Sequence, residues 1–208
     1  MDGVFMKKLL KIIGLCALVA FGLWFASVLA DRVMLRQNVI RLHVVANSDT
    51  AEDQAVKLQV RDAVNLYIGE NMAADLDPDA ARCWLTENLD RLAEVADTTL
   101  EQAGFQERVT VRLTEEAFPI RQYDTFALPS GVYSSLRITI GDGVGQNWWC
   151  VIFPSLCVSA VSQPLEDTAA GAGFSDGLTG AIQGQSGYEI RFFFLDWLGK
   201  IENFLFSF

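Results

Sequence analysis

Hydrophobic positions change their period several times along the chain, and each change marks an element. Ile12 to Ala30 is a run of nineteen residues with no charge and one polar side chain, Ser27. Its apolar residues lie all round a helix rather than on one stripe, and Lys7, Lys8 and Lys11 precede it, so residues 1–30 read as a signal peptide or signal anchor. Val28-Leu29-Ala30 is an acceptable small-residue cleavage site, whereas nineteen residues is long for a signal peptide and just enough to span a bilayer. Both outcomes follow from the pattern: secretion after cleavage, or membrane attachment through residues 12–30. Either way, the chain after Asp31 is expected outside the cytoplasm.

From Val39 to Ala46 the period becomes two, with Ile40, Leu42 and Val44 against Arg41, His43 and Val45, which predicts a strand. Asp49 and Glu52 then form a capping-box pattern, and Val56, Val60, Val64, Tyr67 and Ile68 recur at helical spacing, predicting a helix over 50–71. A second helix is expected from the cap Asp77 to Gly104, with Leu85, Leu89, Leu92, Ala96 and Leu100 as its stripe. Beyond Gly104 the chain reads as mostly β: Val109 to Leu113, Val132 to Ile140, Trp148 to Phe153 and Tyr188 to Leu195. Residues 162–187 hold six glycines, three acidic residues and no Lys or Arg, and read as a flexible excursion. The tail Asp196–Phe208 suits a short apolar helix packed on the sheet. The class predicted is α+β, with residues 31–161 and 188–208 as one domain in which two helices cover one face of a largely antiparallel sheet.

Composition narrows the function. With 51% hydrophobic and 11% aromatic residues, the 208-residue chain has ample material for a core. Its 16 Lys+Arg against 26 Asp+Glu give a net charge of −10, and removing residues 1–30 leaves 13 against 25. An acidic domain is a poor nucleic-acid binder, because phosphate contacts supply most of such affinity, and the same charge disfavours peripheral adhesion to an anionic membrane. One histidine, His43, excludes a multi-histidine metal or catalytic centre, and the cysteine spacing does not suit zinc.

Gly141-x-Gly143-x-Gly145 invites a phosphate-cradle reading, but Trp148-Trp149 and a strand follow it instead of the helix N-terminus such a cradle needs, so a hairpin turn is expected. Cys150 and Cys157, with Pro154 between them, are the pair easiest to close as a disulfide; the alternative is two small buried hydrophobes. A Cys–His hydrolase can be drawn with Cys150 or Cys157 as nucleophile and His43 as base. Cys150 lies inside an apolar strand, however, where a thiol stays protonated, and His43 suits a hydrogen-bonding role in the sheet. In a strand of period two, Trp148 and Trp149 must face opposite sides. Trp149 is in phase with Val151 and Phe153, the set expected against the helices, leaving Trp148 under the tail or exposed as a binding anchor.

Two longer motifs point to a family. Ile40-Arg41-Leu42-His43-Val44-Val45-Ala46-Asn47-Ser48-Asp49, followed by Glu52-Asp53-Gln54 and Lys57-Leu58-x-Val60-Arg61-Asp62-Ala63-Val64, resembles the opening of stage II sporulation protein R. Pro129-x-Gly131-x-Tyr133-x-Ser135-Leu136-Arg137-Ile138 and Gly143-x-Gly145-x-Asn147-Trp148-Trp149-Cys150-Val151-Ile152-Phe153-Pro154-x-Leu156-Cys157 look like that family's signature, and Tyr188 to Phe192 resumes it. Ser155 stands where a second proline is expected, and residues 162–187 match nothing in the pattern.

The resemblance implies a non-enzymatic signalling protein of endospore formation, without a cofactor or metal, exported from the forespore into the space before the mother-cell membrane. Its implied partners are the export machinery and a membrane-embedded aspartic protease, the sigma-E processing peptidase, which it activates. The motif side chains able to contact that partner are Trp148, Asn147, Tyr133, Arg137, His43 and Asp49. An extracytoplasmic Cys/His hydrolase and a static envelope component are the competing classes.

Overall fold

The computed structural model describes residues 3–73, 76–123, 125–154 and 173–207. A four-stranded mixed sheet has the order β2-β5-β1-β6, with β1 Ile40–Val45, β2 Val109–Phe118, β5 Gly131–Ile140 and β6 Asn147–Phe153. β3 Arg121–Gln122 and β4 Ala127–Leu128 form a separate ribbon. β1 runs parallel to β5, while β6 and β2 pair antiparallel on either side. A parallel neighbour requires a crossover, which is supplied by α2 Ala51–Asn71, α3 Pro78–Glu87 and α4 Leu89–Gln102.

Those three helices cover one face. Val56, Val60, Val64 and Ile68 of α2 and Leu92, Ala96 and Leu100 of α4 pack on Ile40, Leu42, Val44, Leu136 and Ile138. The expected helix over 77–104 is two, divided at Asn88, whose side-chain amide donates to Trp84 O at 2.8 Å. The cap of α2 is Thr50, accepting from Asp53 N at 3.2 Å, rather than Asp49. Asp49 accepts instead from Gln146 N, across the chain, at 2.8 Å.

Helices also cover the second face, where the tail helix expected on the sheet is joined by the N-terminal helix. α1 Gly3–Asn38 continues through Ala30 without a break, and Val28 and Leu35 are buried with Phe118, Tyr133 and Val151. Among the described residues, α1 is the one helix long and apolar enough to cross a membrane. α5 Asp176–Ile182 occupies part of the glycine-rich stretch and buries Leu178, Ala181 and Ile182, so this part is not the flexible excursion expected; residues 162–172 lie outside the described residues. The last strand expected, Tyr188 to Leu195, is instead the start of α6 Glu189–Phe206. Its buried Gly199 meets β5 so closely that an added Cβ would lie 1.6 Å from Ser130 O.

α1 and α6 are tied by Arg191, whose guanidinium pairs with the Asp31 carboxylate and donates to Ser27 Oγ at 3.2 Å. Arg32 pairs with Glu202 and donates to the Tyr133 hydroxyl at 3.2 Å. The end of the N-terminal apolar run is therefore built into the domain.

Candidate functional site

Both faces of β1 are buried, so its odd residues must find partners inside. Arg41 lies between the rings of Phe118 and Tyr133, at 4.1 and 5.3 Å, and donates to the Tyr123 hydroxyl at 2.8 Å. His43, 3% exposed, stacks on Trp149 with ring centroids 3.7 Å apart. Its Nδ1 lies 3.1 Å from a Glu116 oxygen and its Nε2 lies 2.8 Å from Asn147 Oδ1. Glu116 also accepts from Arg137 Nη1 at 2.6 Å. An ionised Glu116 can only accept, so Nδ1 donates to it.

Burial opposes the charge on Glu116, but His43, then Ser135 and Arg137, outweigh it and hold the carboxyl at about 2, below the ordinary 4.5. A depressed folded value means that this contribution is present above about pH 4.5 and is lost as pH falls toward 2. Glu116 is therefore expected to account for about 2 kcal/mol of lost stability between roughly pH 6 and pH 3. Denaturant midpoints across that range check it: Glu116→Gln should flatten the acid side of the curve.

Three of the residues singled out in the sequence, His43, Arg137 and Asn147, are brought together here. Glu116, which nothing in the local pattern marked, and Trp149, expected only as a core residue, complete the cluster. The cluster opens into a groove of about 510 Å³ along β2 and β5, lined by Arg112, Glu116, Arg137 and Thr139 among others. Arg112 is exposed and pairs directly across the strands with Arg137. Tyr133 lies on the same face of β5 but is fully buried, its hydroxyl donating to Pro129 O at 2.8 Å.

Trp148 and Asp49 lie elsewhere. Trp148, Cys150 and Ile152 face α2 to α4, and Trp149 and Val151 face α1 and α6, which inverts the expected phase. A register shift at Ile40/Arg41 turns Phe153 toward the first core. Arg61 covers Trp148, its guanidinium carbon 4.3 Å from the ring centroid. Asp49 belongs to a lock between two motifs. Asn47 Oδ1 accepts from Asp142 N at 3.0 Å, and Gly145 N donates to Ala46 O at 3.0 Å. A Cβ at Gly141 would stand 2.2 Å from Asn47 Oδ1, and one at Gly145 would stand 2.2 Å from Ser48 O. These glycines serve a close backbone approach in the turn before β6.

Cys150 is disulfide-bonded, whereas Cys16 and Cys83 are free; Cys157, the partner expected from spacing, lies outside the described residues. Alkylation without reductant is therefore expected to label Cys16 and Cys83 and to spare Cys150, checked by peptide mass mapping. A bonded Cys150 on the face opposite His43 cannot act as its nucleophile. The Nε2 that a general base would offer to one is held by Asn147.

An α+β domain joined to an N-terminal helix long and apolar enough to cross a membrane, with a polar groove beside an apolar helix pair, is the class that this geometry defines. The sequence model of the family described as stage II sporulation protein R matches residues 36–163, and the chain belongs to that family. The chain is also 30% identical over 188 residues to stage II sporulation protein R of Bacillus subtilis (strain 168), covering 81% of this chain and 84% of that one. No solved structure matches.

Proposed function

We propose that this sporulation protein is an exported, non-enzymatic signal that activates a membrane-embedded aspartic protease and so leads to processing of pro-sigma-E. Family membership is the observation that carries the reading. The N-terminal apolar helix supports export from the forespore toward the mother-cell membrane, where the protease would meet the domain. Activation needs no chemistry from the activator. Binding one conformation of the protease more tightly than the other is sufficient to shift its population.

The groove beside His43 is the contact surface this reading favours, since Arg137 and Arg112 line it while His43 and Trp149 fix the strands beneath. Arg112→Glu is expected to weaken activation at least tenfold, about 1.4 kcal/mol of binding. Thermal unfolding should stay within about 0.5 kcal/mol of the parent, as for an exposed substitution. Cleavage assays with both chains check this pair of outcomes. The whole reading is tested by complementation: sporulating cells lacking their own stage II protein R should process pro-sigma-E when given this chain. The same chain with Leu15, Leu18 and Val19 each replaced by Asp, which cannot cross or enter a membrane, should not restore processing.

A further inference from the structure

α6 has two faces. Leu195, Asp196 and Gly199 are buried against β5, with Asp196 accepting from Ser130 N at 2.9 Å and Asn203 donating to Phe118 O at 2.8 Å. On the opposite side Ile190, Phe193, Trp197, Ile201 and Phe204 follow one another three or four residues apart, a single stripe about 21 Å long at 1.5 Å per residue. Each is between 39 and 65% exposed, although all five are large hydrophobics. A stripe this continuous on an otherwise acidic domain marks a surface that meets an apolar phase.

The stripe runs directly into the apolar part of α1. Phe194 meets Trp24 edge to face at 5.4 Å and Phe25 at 6.0 Å, and Phe194 also meets Trp197 at 6.4 Å. The run from Ile12 to Ala30, about 28 Å of helix, matches a bilayer's hydrocarbon thickness and ends at Asp31. Arg191, at the start of α6, is bound to that same Asp31. The first turn of α6 is thus fixed at the level where α1 leaves the membrane, and aromatic side chains on both helices gather there.

We propose that α6 is a bilayer-interface helix, seated with its Ile190–Phe193–Trp197–Ile201–Phe204 stripe in the outer headgroup boundary of the membrane that α1 enters. This rests on α1 being retained as an anchor. Seating would hold the domain flat against the membrane, with the groove beside His43 at a fixed height above it. Because the stripe carries no charge, attachment is hydrophobic and is insensitive to anionic lipid.

The test uses the full chain in phosphatidylcholine vesicles whose acyl chains carry bromine near the headgroup, a short-range quencher of tryptophan. The emission difference between parent and Trp197→Phe isolates Trp197, and that between parent and Trp24→Phe isolates Trp24. Both signals are expected to be quenched at least about twofold against unbrominated vesicles, as for rings within the boundary. Moving the reporter, with Phe193→Trp in the Trp197→Phe chain, should give the same result. Quenching of Trp24 without Trp197 or the relocated reporter would leave the anchor standing and overturn the interface helix. Quenching of none would overturn both. A blue-shifted but unquenched Trp197 would mean that protein, such as a second copy, covers the stripe, and would equally overturn the proposal.

Discussion

Replacing Gly199 by alanine is expected to lower the unfolding free energy by about 3 kcal/mol, the upper range for forcing a group into a packed interface. The added methyl would need the space of the Ser130 carbonyl, a backbone atom that cannot rotate away. Ser130 is also held by Asp196, one turn earlier on α6, so helix and strand cannot part locally without losing that bond. In a chain of this size the loss corresponds to a drop in Tm of roughly 6–12 °C. Gly69→Ala is the contrasting substitution. Gly69 is exposed within α2 with nothing within 4 Å of a new Cβ, so the same change there should stabilise by about 0.5–1 kcal/mol. Thermal unfolding of the full chain in detergent, followed by circular dichroism, reads both.

Glu116→Ala is expected to cost about 3 kcal/mol, since it strips the counter-charge from Arg137 and the acceptor from a nearly buried His43. Glu116→Gln keeps the shape and one acceptor and should cost less. Removing Arg137 as well should recover part of the loss, because one unpaired cation then disappears; additive losses would show that the two side chains do not act together. Denaturant unfolding of the single and double variants at neutral pH supplies the cycle.

The fold was legible wherever a residue's environment follows from its near neighbours. Alternation in Ile40–Val45 and Gly131–Ile140 and the valine stripe of α2 each report a local face. Tyr188 to Leu195 misleads because Tyr188, Ile190, Phe192 and Phe194 alternate like a strand. The helical period emerges only when Trp197, Ile201 and Phe204 are counted with Ile190 and Phe193. The phase of Trp148 and Trp149 depends on which face each helix group covers, a fact set by the β1–β5 crossover and not by the strand itself. Glu116 could not be paired with His43 from sequence, since 73 residues separate them and many other carboxylates compete. His43, Arg137 and Asn147 stood out through the motifs, and the sheet register supplies the reason. His43 pairs with Arg137 on β5 and with Trp149 on β6, beside Asn147.

Co-expression in a host that does not sporulate tests the central proposal most directly. Pro-sigma-E, its membrane-embedded processing peptidase and this chain would be produced together, with the chain exported and its export verified. Cleavage of pro-sigma-E that requires both the peptidase and the exported chain is the predicted result. Pro-sigma-E left uncut with all three present, or cut equally well without this chain, would contradict it.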